Sequence, residues 1–253
     1  MKKPQAGRLP RPGAVVALIP AFKPDRLLVD LVQELRDGGF RSIIVVDDGS
    51  PPESAPVFEE LAAFPGCTLL RHEVNRGKGR AIKTGLASFL ERYPDAEGII
   101  TVDADGQHRA EDVVRVAESF LADSSALVIG SRKFARKSPW RSRFGNQLTR
   151  RVFRWVAGVR LADTQSGLRC FSRAVARRLL ALAGERYEYE MNVLVACPKM
   201  SVPLREVEIE TVYFEGNPSS HFNPVVDSVK IYFLLLRVSL PASLRAMAAR
   251  PRR

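Results

Sequence analysis

Short runs of apolar residues, many of them β-branched, alternate along this chain with segments in which apolar residues recur at helical spacing. The clearest runs are residues 14–19, 42–46 and 98–102, and the clearest helical segments are residues 24–36 and 79–92. Apolar runs without polar alternation are typical of strands that are buried on both faces. Their alternation with helices predicts an α/β fold, with a mostly parallel central sheet and helices on both faces.

Weaker patterns extend this alternation to the rest of the chain. They predict helices at residues 53–63 and 174–183, and strands at residues 68–70, 128–131 and 202–212. A chain of 253 residues is long enough to bury one sizeable core, so we expect a single domain of this class.

We place that domain at residues 14–225, between two segments of different character. Residues 1–13 are rich in proline and basic residues, which predicts a flexible lead-in. Residues 226–253 have the pattern of an amphipathic helix followed by a basic tail. Such a helix suits either the protein core or a membrane surface, and both interpretations stay open.

Cysteine usage and hydropathy indicate a cytoplasmic protein. Cys67, Cys170 and Cys197 are scattered and form no Cys-x-x-Cys pair, which is typical of a reducing compartment rather than of a zinc or disulfide framework. The basic N-terminus lacks the apolar region of a secretory signal. The longest apolar stretch, residues 231–236, falls far short of the roughly 20 residues that span a bilayer.

Polar residues follow three of the predicted strands. Those sites are Pro20-Ala21-Phe22, Asp47-Asp48-Gly49-Ser50 and Asp103-Ala104-Asp105-Gly106-Gln107. Open α/β sheets bind their ligands at the carboxyl ends of the strands, so we expect these loops to share one site. Two carboxylates one residue apart suit Mg²⁺ or Mn²⁺, the hard cations that neutralise phosphate oxygens. The alternative is that Asp105-Gly106 is only a turn and Asp103 only a cap.

A glycine-rich basic loop, residues 75–80, opens the helix at residues 79–92. Backbone amides at a helix N-terminus, beside Lys78 and Gly79, predict a cradle for a diphosphate. The spacing is not that of a P-loop. A solvated basic turn is the alternative.

The net charge of +11 is concentrated in one segment, residues 124–162, which contains no acidic residue. Trp140 and Trp155 lie among its basic residues. These are Arg132, Lys133, Arg136, Lys137, Arg141, Arg143, Arg150, Arg151, Arg154 and Arg160. Such a composition suits anionic lipid head groups, and it also suits nucleic acid. A merely solvated helix face explains it least well.

The ordered motifs resemble those of family 2 glycosyltransferases, and most closely those of the dolichyl-phosphate mannose and glucose synthase branch. Besides the three strand-end loops and residues 75–79, they include Gly130-Ser131-Arg132 and Gly167-Leu168-Arg169-Cys170-Phe171. The resemblance covers roughly residues 14–215. It implies a GT-A fold, a GDP- or UDP-sugar donor, a divalent metal, and inversion at the anomeric carbon.

The resemblance also implies a role for each motif position. The nucleoside would be contacted by Pro20, Phe22 and Asp48, with Ala21 and Asp47 beside them. The metal would be held by Asp103, Asp105 and Gln107, with Ala104 between the carboxylates. Arg132 and Arg169 would face the phosphates or the acceptor. Glu190 matches the acidic residue of an aromatic-x-aromatic-acid motif near the acceptor, and Asp105, Arg169 and Glu190 are the catalytic candidates.

Two chemical classes of acceptor, a phosphate and a hydroxyl, lead to different expectations for the site. The synthase branch has an Arg and a Gly-x-Ser-Lys element after its last core strand, whereas the corresponding residues 213–224 contain neither, and His221 is the nearest cationic candidate. A polyprenyl phosphate acceptor is already anionic and needs no base. A hydroxyl acceptor needs one, for which Glu190 is the first candidate and Asp163 the second.

Two other classes compete with a glycosyltransferase at the inner face of the cytoplasmic membrane. A nucleic-acid-binding protein would explain the charge, but its phosphate ligands would be repelled by the carboxylate loops. A nucleotidyltransferase would carry a glycine-rich basic loop directly after the first strand, where residues 20–24 have none. We therefore expect a lipid or lipid-phosphate acceptor, peripheral contact with anionic membrane, and no nucleic acid. Among acceptors we expect a polyprenyl phosphate, because the other motifs follow that branch, and the alternative is a hydroxyl of a glycolipid or polysaccharide precursor.

Overall fold

The computed structural model describes residues 12–132, 153–154 and 158–210. Within these residues, seven strands form one sheet in the order β3-β2-β1-β4-β6-β5-β7. The strands are β1 (Val15–Ala21), β2 (Ile43–Asp47), β3 (Cys67–Arg71), β4 (Gly98–Thr101), β5 (Leu127–Arg132), β6 (Arg169–Ser172) and β7 (Leu204–Ile209). Of these strands, β6 alone is antiparallel to its neighbours β4 and β5. The mostly parallel sheet is thus confirmed.

Six α-helices of the described residues cover the sheet. They are α1 (Arg26–Asp37), α2 (Ala55–Ala62), α3 (Lys78–Arg92), α4 (Ala110–Ala122), α5 (Arg173–Leu179) and α6 (Glu188–Lys199). Alternate residues of β1 enter different cores, because successive side chains of a strand point to opposite faces. Ala17 and Ile19 pack with α1, α2 and α4, whereas Val16 and Leu18 pack with α3, α5 and α6. Helices therefore lie on both faces, as predicted.

The first strand is longer than predicted. The sequence predicts that Pro20 ends it, but β1 continues to Ala21 and Pro20 pairs with Val46 of β2. Pairing with β4 stops at Leu18, whose carbonyl oxygen accepts from the Val102 N–H at 2.9 Å. Backbone groups two residues apart point to the same side of a strand, so an N–H at position 20 would point toward the β4 side, beyond the last residue of β4. Proline therefore removes no hydrogen bond between β1 and β4.

Other boundaries differ by a few residues. Helix α5 ends at Leu179 rather than near residue 183, and β7 covers Leu204–Ile209 of the predicted strand. Helix α4 had no prediction, although its buried Val113, Val116 and Phe120 have helical spacing. The C-terminal helix, His221 and most of the basic segment lie outside the described residues. Within the described part of the chain, no helix has the length and apolar character needed to cross a membrane.

Candidate functional site

A cleft of about 570 Å³ opens at the carboxyl edge of β1, β2 and β4, and the start of the antiparallel β6 reaches the same edge. The polar loops that follow the three strands all contribute to its wall. Twelve residues proposed from the sequence line it: Pro20, Ala21, Phe22, Asp48, Lys78, Asp103, Ala104, Asp105, Gln107, Arg132, Arg169 and Glu190. The expectation that separate strand ends converge on one site agrees with this geometry.

Three further candidates lie behind the wall of the cleft instead of in it. Asp47 is buried, where its carboxylate accepts from the Ser50 N–H at 2.8 Å and from Arg71 Nε at 2.7 Å. Asp163 is buried and holds Arg132. Gly79 is a packing site, because a Cβ there would lie 2.6 Å from the Cβ of Tyr189. Their substrate-binding roles would thus be indirect.

Several residues that line the cleft were not singled out from the sequence. Thr164 and Gln165 follow Asp163 in the loop before β6, and the polarity of that loop was the available signal. Arg186 lies against Gly77, which has a positive φ of 99° and no room for a side chain: a Cβ would come within 2.6 Å of both the Arg186 Cγ and the Glu185 carbonyl oxygen. Sequence alone carries no signal for that contact.

Lys78, the first residue of α3, connects opposite walls of the cleft. Its Nζ lies 2.7 Å from Asp103 Oδ1 and 2.9 Å from Glu190 Oε2. Burial by itself would lower the pKa of Lys78, but the charges of Asp103 and Glu190 together raise it above its ordinary value. In turn, burial opposes ionisation of Asp103, whereas the Lys78 charge, helped by His108, brings the pKa of that carboxyl well below its usual range.

Asp105 has the opposite electrostatic environment. Burial and the nearby charge of Asp103 raise its pKa, although the Gln107 N–H donates to its Oδ1 at 3.1 Å. A divalent cation shared by the two carboxylates would relieve their repulsion, so the donor set fits Mg²⁺ or Mn²⁺. No group of three His, Cys, Asp or Glu suited to a metal occurs in the described residues. The candidate ligands are therefore the carboxylates of Asp103 and Asp105 and the side-chain amide oxygen of Gln107. A substrate would supply further oxygen ligands.

Two arginines that line the cleft are held in place by the fold. Arg132 Nε and Nη2 donate to the Asp163 carboxylate at 2.6 and 3.2 Å. Arg169 is only 3% exposed; its Nε donates to the Ser166 carbonyl at 3.0 Å and its Nη1 to the Glu190 carbonyl at 2.5 Å. Positive charges fixed in this way are suited to binding an anion without further loss of side-chain freedom.

Comparison with known proteins identifies the family. The sequence model described as "Glycosyl transferase family 2" matches residues 17–181, about two thirds of the chain. The chain belongs to glycosyl transferase family 2. It is therefore a glycosyltransferase, which answers the choice left open between that class, a nucleotidyltransferase and a nucleic-acid-binding protein.

Relatives within glycosyl transferase family 2 support the predicted branch. The UDP-N-acetylglucosamine--dolichyl-phosphate N-acetylglucosaminyltransferase of Methanococcus voltae is 29% identical over 244 residues, which cover 89% of this chain and 96% of the relative. The human dolichyl-phosphate beta-glucosyltransferase is 28% identical over 226 residues, with 79% of this chain and 68% of the relative covered. The resemblance to dolichyl-phosphate sugar synthases is thus confirmed.

A solved structure supports the GT-A fold. Glucosyl-3-phosphoglycerate synthase of Mycobacterium tuberculosis, crystallised with Mn²⁺, uridine diphosphate and glucosyl-3-phosphoglycerate, superposes with a TM-score of 0.66. The match covers 96% of this chain and 88% of that one at 18% identity, so it bears on the fold alone. The GT-A fold implied by the sequence is confirmed.

Proposed function

We propose that the protein transfers a sugar from a nucleoside-diphosphate donor to a polyprenyl phosphate, with a divalent cation held by Asp103, Asp105 and Gln107. The donor and acceptor classes follow the name of the Methanococcus relative, which states both UDP-N-acetylglucosamine and dolichyl phosphate. The metal is supported by the neighbour crystallised with Mn²⁺ and by the electrostatic need of the carboxylate pair.

Departure of the nucleoside diphosphate is the step that most needs positive charge, because its phosphate oxygens gain charge as the sugar leaves. The bound cation would supply part of that charge. Lys78, in the first turn of α3, places its ammonium group 2.7 Å from Asp103, so its charge lies beside the proposed metal ligands, where Glu190 also pairs with it.

The amides of the predicted diphosphate cradle are largely engaged within the protein, because Arg76 and Gly77 donate to Asp48 and Arg80 donates to the Glu185 carbonyl. The dipole of α3 still adds partial positive charge at this end.

The choice of acceptor rests on one observation, the engagement of both candidate bases. Glu190 Oε2 already pairs with the Lys78 ammonium at 2.9 Å, so this oxygen is engaged by a cation before any acceptor arrives. Asp163 is buried behind the wall and accepts two hydrogen bonds from the Arg132 side chain. An acceptor that is already an anion requires neither base, so this arrangement favours a phosphate over a hydroxyl.

Arg132 and Arg169 are the residues we assign to the acceptor phosphate. Both line the cleft. Arg169 is held by two neutral carbonyl groups, which do not neutralise its charge, whereas Arg132 is paired with the Asp163 carboxylate. Guanidinium groups bind phosphate through paired hydrogen bonds. They would orient the acceptor oxygen toward the sugar and would lower the repulsion between two phosphate-bearing substrates.

The test compares acceptors that differ only in the phosphate. Purified protein is incubated with radiolabelled UDP- or GDP-sugars, Mn²⁺, and either a polyprenyl phosphate or the matching polyprenol. We expect a labelled lipid only with the phosphate, and its sugar should be released by mild acid, as a glycosyl phosphate is. Transfer to the polyprenol would contradict the proposal.

Glu190→Gln provides a second test within the same assay. If the acceptor is a phosphate, kcat should fall less than about tenfold, because no proton has to be removed. A positioned general base contributes typically 10²–10⁴-fold. A loss of several hundredfold in kcat with donor affinity unchanged would therefore indicate a hydroxyl acceptor.

We further propose that the protein acts at the inner face of the cytoplasmic membrane without spanning it. The support is the acid-free basic segment, residues 124–162, and the scattered cysteines of a reducing compartment. A lipid acceptor would require such a location.

A further inference from the structure

His72 is a buried titratable residue that lies outside the cleft and has no part in the chemistry described above. It follows β3 directly and is 7% exposed. Its Nδ1 lies 2.7 Å from Asp48 Oδ1, and its Nε2 lies 2.9 Å from the Thr84 hydroxyl of α3. An ionised carboxylate only accepts hydrogen bonds, so Nδ1 carries the proton of the first contact.

Asp48 has other partners in the loop that precedes α3. Its Oδ1 accepts from the Arg76 N–H at 2.9 Å, and its Oδ2 accepts from the Gly77 N–H at 2.8 Å. A carboxylate offers about four acceptor positions, so His72 and the loop together occupy three of them. Asp48 also lines the cleft, so these contacts hold the orientation of a carboxylate that faces the candidate site.

The loop that precedes α3 is packed too closely to adopt another backbone conformation. A Cβ on Gly49, directly after Asp48, would lie 2.2 Å from the Val74 carbonyl carbon. At the other end of the loop, Gly77 packs against the backbone of Glu185, because a Cβ on Gly77 would lie 2.6 Å from the Glu185 carbonyl oxygen. A change in the orientation of the Asp48 carboxylate would therefore be transmitted to the loop and to Lys78, which follows it.

We propose that His72 is a positioning residue for donor binding: it fixes the carboxylate of Asp48, and through it the residue 75–77 loop that carries Lys78 into the cleft. This inference rests on the proposed function for the identity of the donor. None of the hydrogen bonds from His72 to the loop includes Asp103 or Asp105, although Lys78, directly after the loop, lies 2.7 Å from Asp103 Oδ1.

Two amide variants separate the contacts of the ring. His72→Asn places its side-chain NH₂ near the position of Nδ1, and so retains a donor for Asp48. His72→Gln places its amide near the position of Nε2, and so retains only the contact with Thr84. Both variants remove the imidazole, so a loss of stability common to both reports packing rather than positioning.

The experiment measures UDP and GDP binding by calorimetry in the presence of Mn²⁺, together with backbone amide exchange. Removal of a hydrogen bond to a charged group should weaken binding about tenfold in His72→Gln, whereas His72→Asn should stay within about threefold of the wild type. The Arg76 and Gly77 amides should exchange faster in His72→Gln alone. In a transfer assay the same variant should raise the donor KM, and kcat should fall as well, because the displaced loop carries the Lys78 charge that assists departure of the nucleoside diphosphate.

The possible failures are distinguishable. Equal nucleotide affinity in the Asn and Gln variants, with wild-type exchange rates at Arg76 and Gly77, would overturn the positioning role while leaving the proposed function intact. If the wild-type protein bound neither nucleotide, the proposed function would fall and the donor role of His72 with it.

Discussion

Replacement of Asp163 by Asn should destabilise the protein more than its distance from the substrate suggests. The Asp163 side chain is 0% exposed and its partner Arg132 is 19% exposed. Loss of one partner from a buried ion pair costs typically 3–5 kcal/mol, because the other charge is left uncompensated. Water reaches part of Arg132 and Asn keeps one acceptor oxygen, so we expect the free energy of unfolding to fall by about 2–3 kcal/mol.

Urea denaturation followed by circular dichroism measures this change. With a slope of about 2–3 kcal/mol per M, the midpoint should move down by roughly 1 M. Asp30→Asn is the matched control, because the Arg26–Asp30 pair is exposed (side chains 67% and 55%) and its two atoms lie 3.4 Å apart. Such a pair contributes about 0.3–0.5 kcal/mol.

A double-mutant cycle tests the physical reason. Arg132→Met should also destabilise, since it leaves the Asp163 carboxylate buried without its cation. The double variant should be less unstable than the sum of the single changes, because the removal of both charges leaves neither uncompensated. If Asp163→Asn shifted the midpoint no more than Asp30→Asn, or if the effects were additive, the buried pair would not have the strength assigned to it.

Three further predictions concern the cleft and the membrane. Asp105→Ala should abolish transfer and weaken Mn²⁺ binding, which electron paramagnetic resonance measures, while the thermal midpoint of unfolding stays within a few degrees of the wild type. Full activity of the wild type in EDTA would contradict the metal site. The depressed pKa of Asp103 gives stability that is fully present above the unfolded pKa near 4 and falls as pH drops below it. Lys78→Met should flatten that acid-side decline in urea titrations between about pH 4 and 2, and an unchanged curve would contradict the pairing. The full chain should sediment with anionic liposomes and be released by salt, because charges are screened over about 8 Å at physiological ionic strength; equal binding to neutral vesicles at low salt would contradict the peripheral location.

The sequence was sufficient for the fold class and for much of the cleft wall because both follow from local patterns. Runs such as residues 42–46 have few ways to be buried other than as interior strands. Polar residues that end parallel strands must meet at one edge, so the sequence places Asp48 and Asp103 in one site, and both line the cleft.

Contacts between distant segments could not be predicted in this way. Asp47 and Asp48 are adjacent and chemically identical, yet Asp47 is buried behind the wall of the cleft, where it pairs with Arg71, and Asp48 lines the cleft. Asp163 similarly looked like a candidate base, and its burial against Arg132 depends on how β5 and the loop before β6 pack. The same limit applies to Pro20, because the tolerance of a strand for proline depends on where its neighbour stops.

The antiparallel direction of β6 has a consequence for engineering. Because β6 begins at the cleft, the two walls come from separate stretches of the chain, residues 20–107 and residues 132–191. A chimaera of two relatives with its crossover in the turn after α4 would exchange one wall and keep the other. Its main requirement is a carboxylate opposite Lys78, since the Lys78–Glu190 ion pair joins the two stretches across the cleft. Such a chimaera would therefore move Arg132, Arg169 and Glu190 together, as one segment.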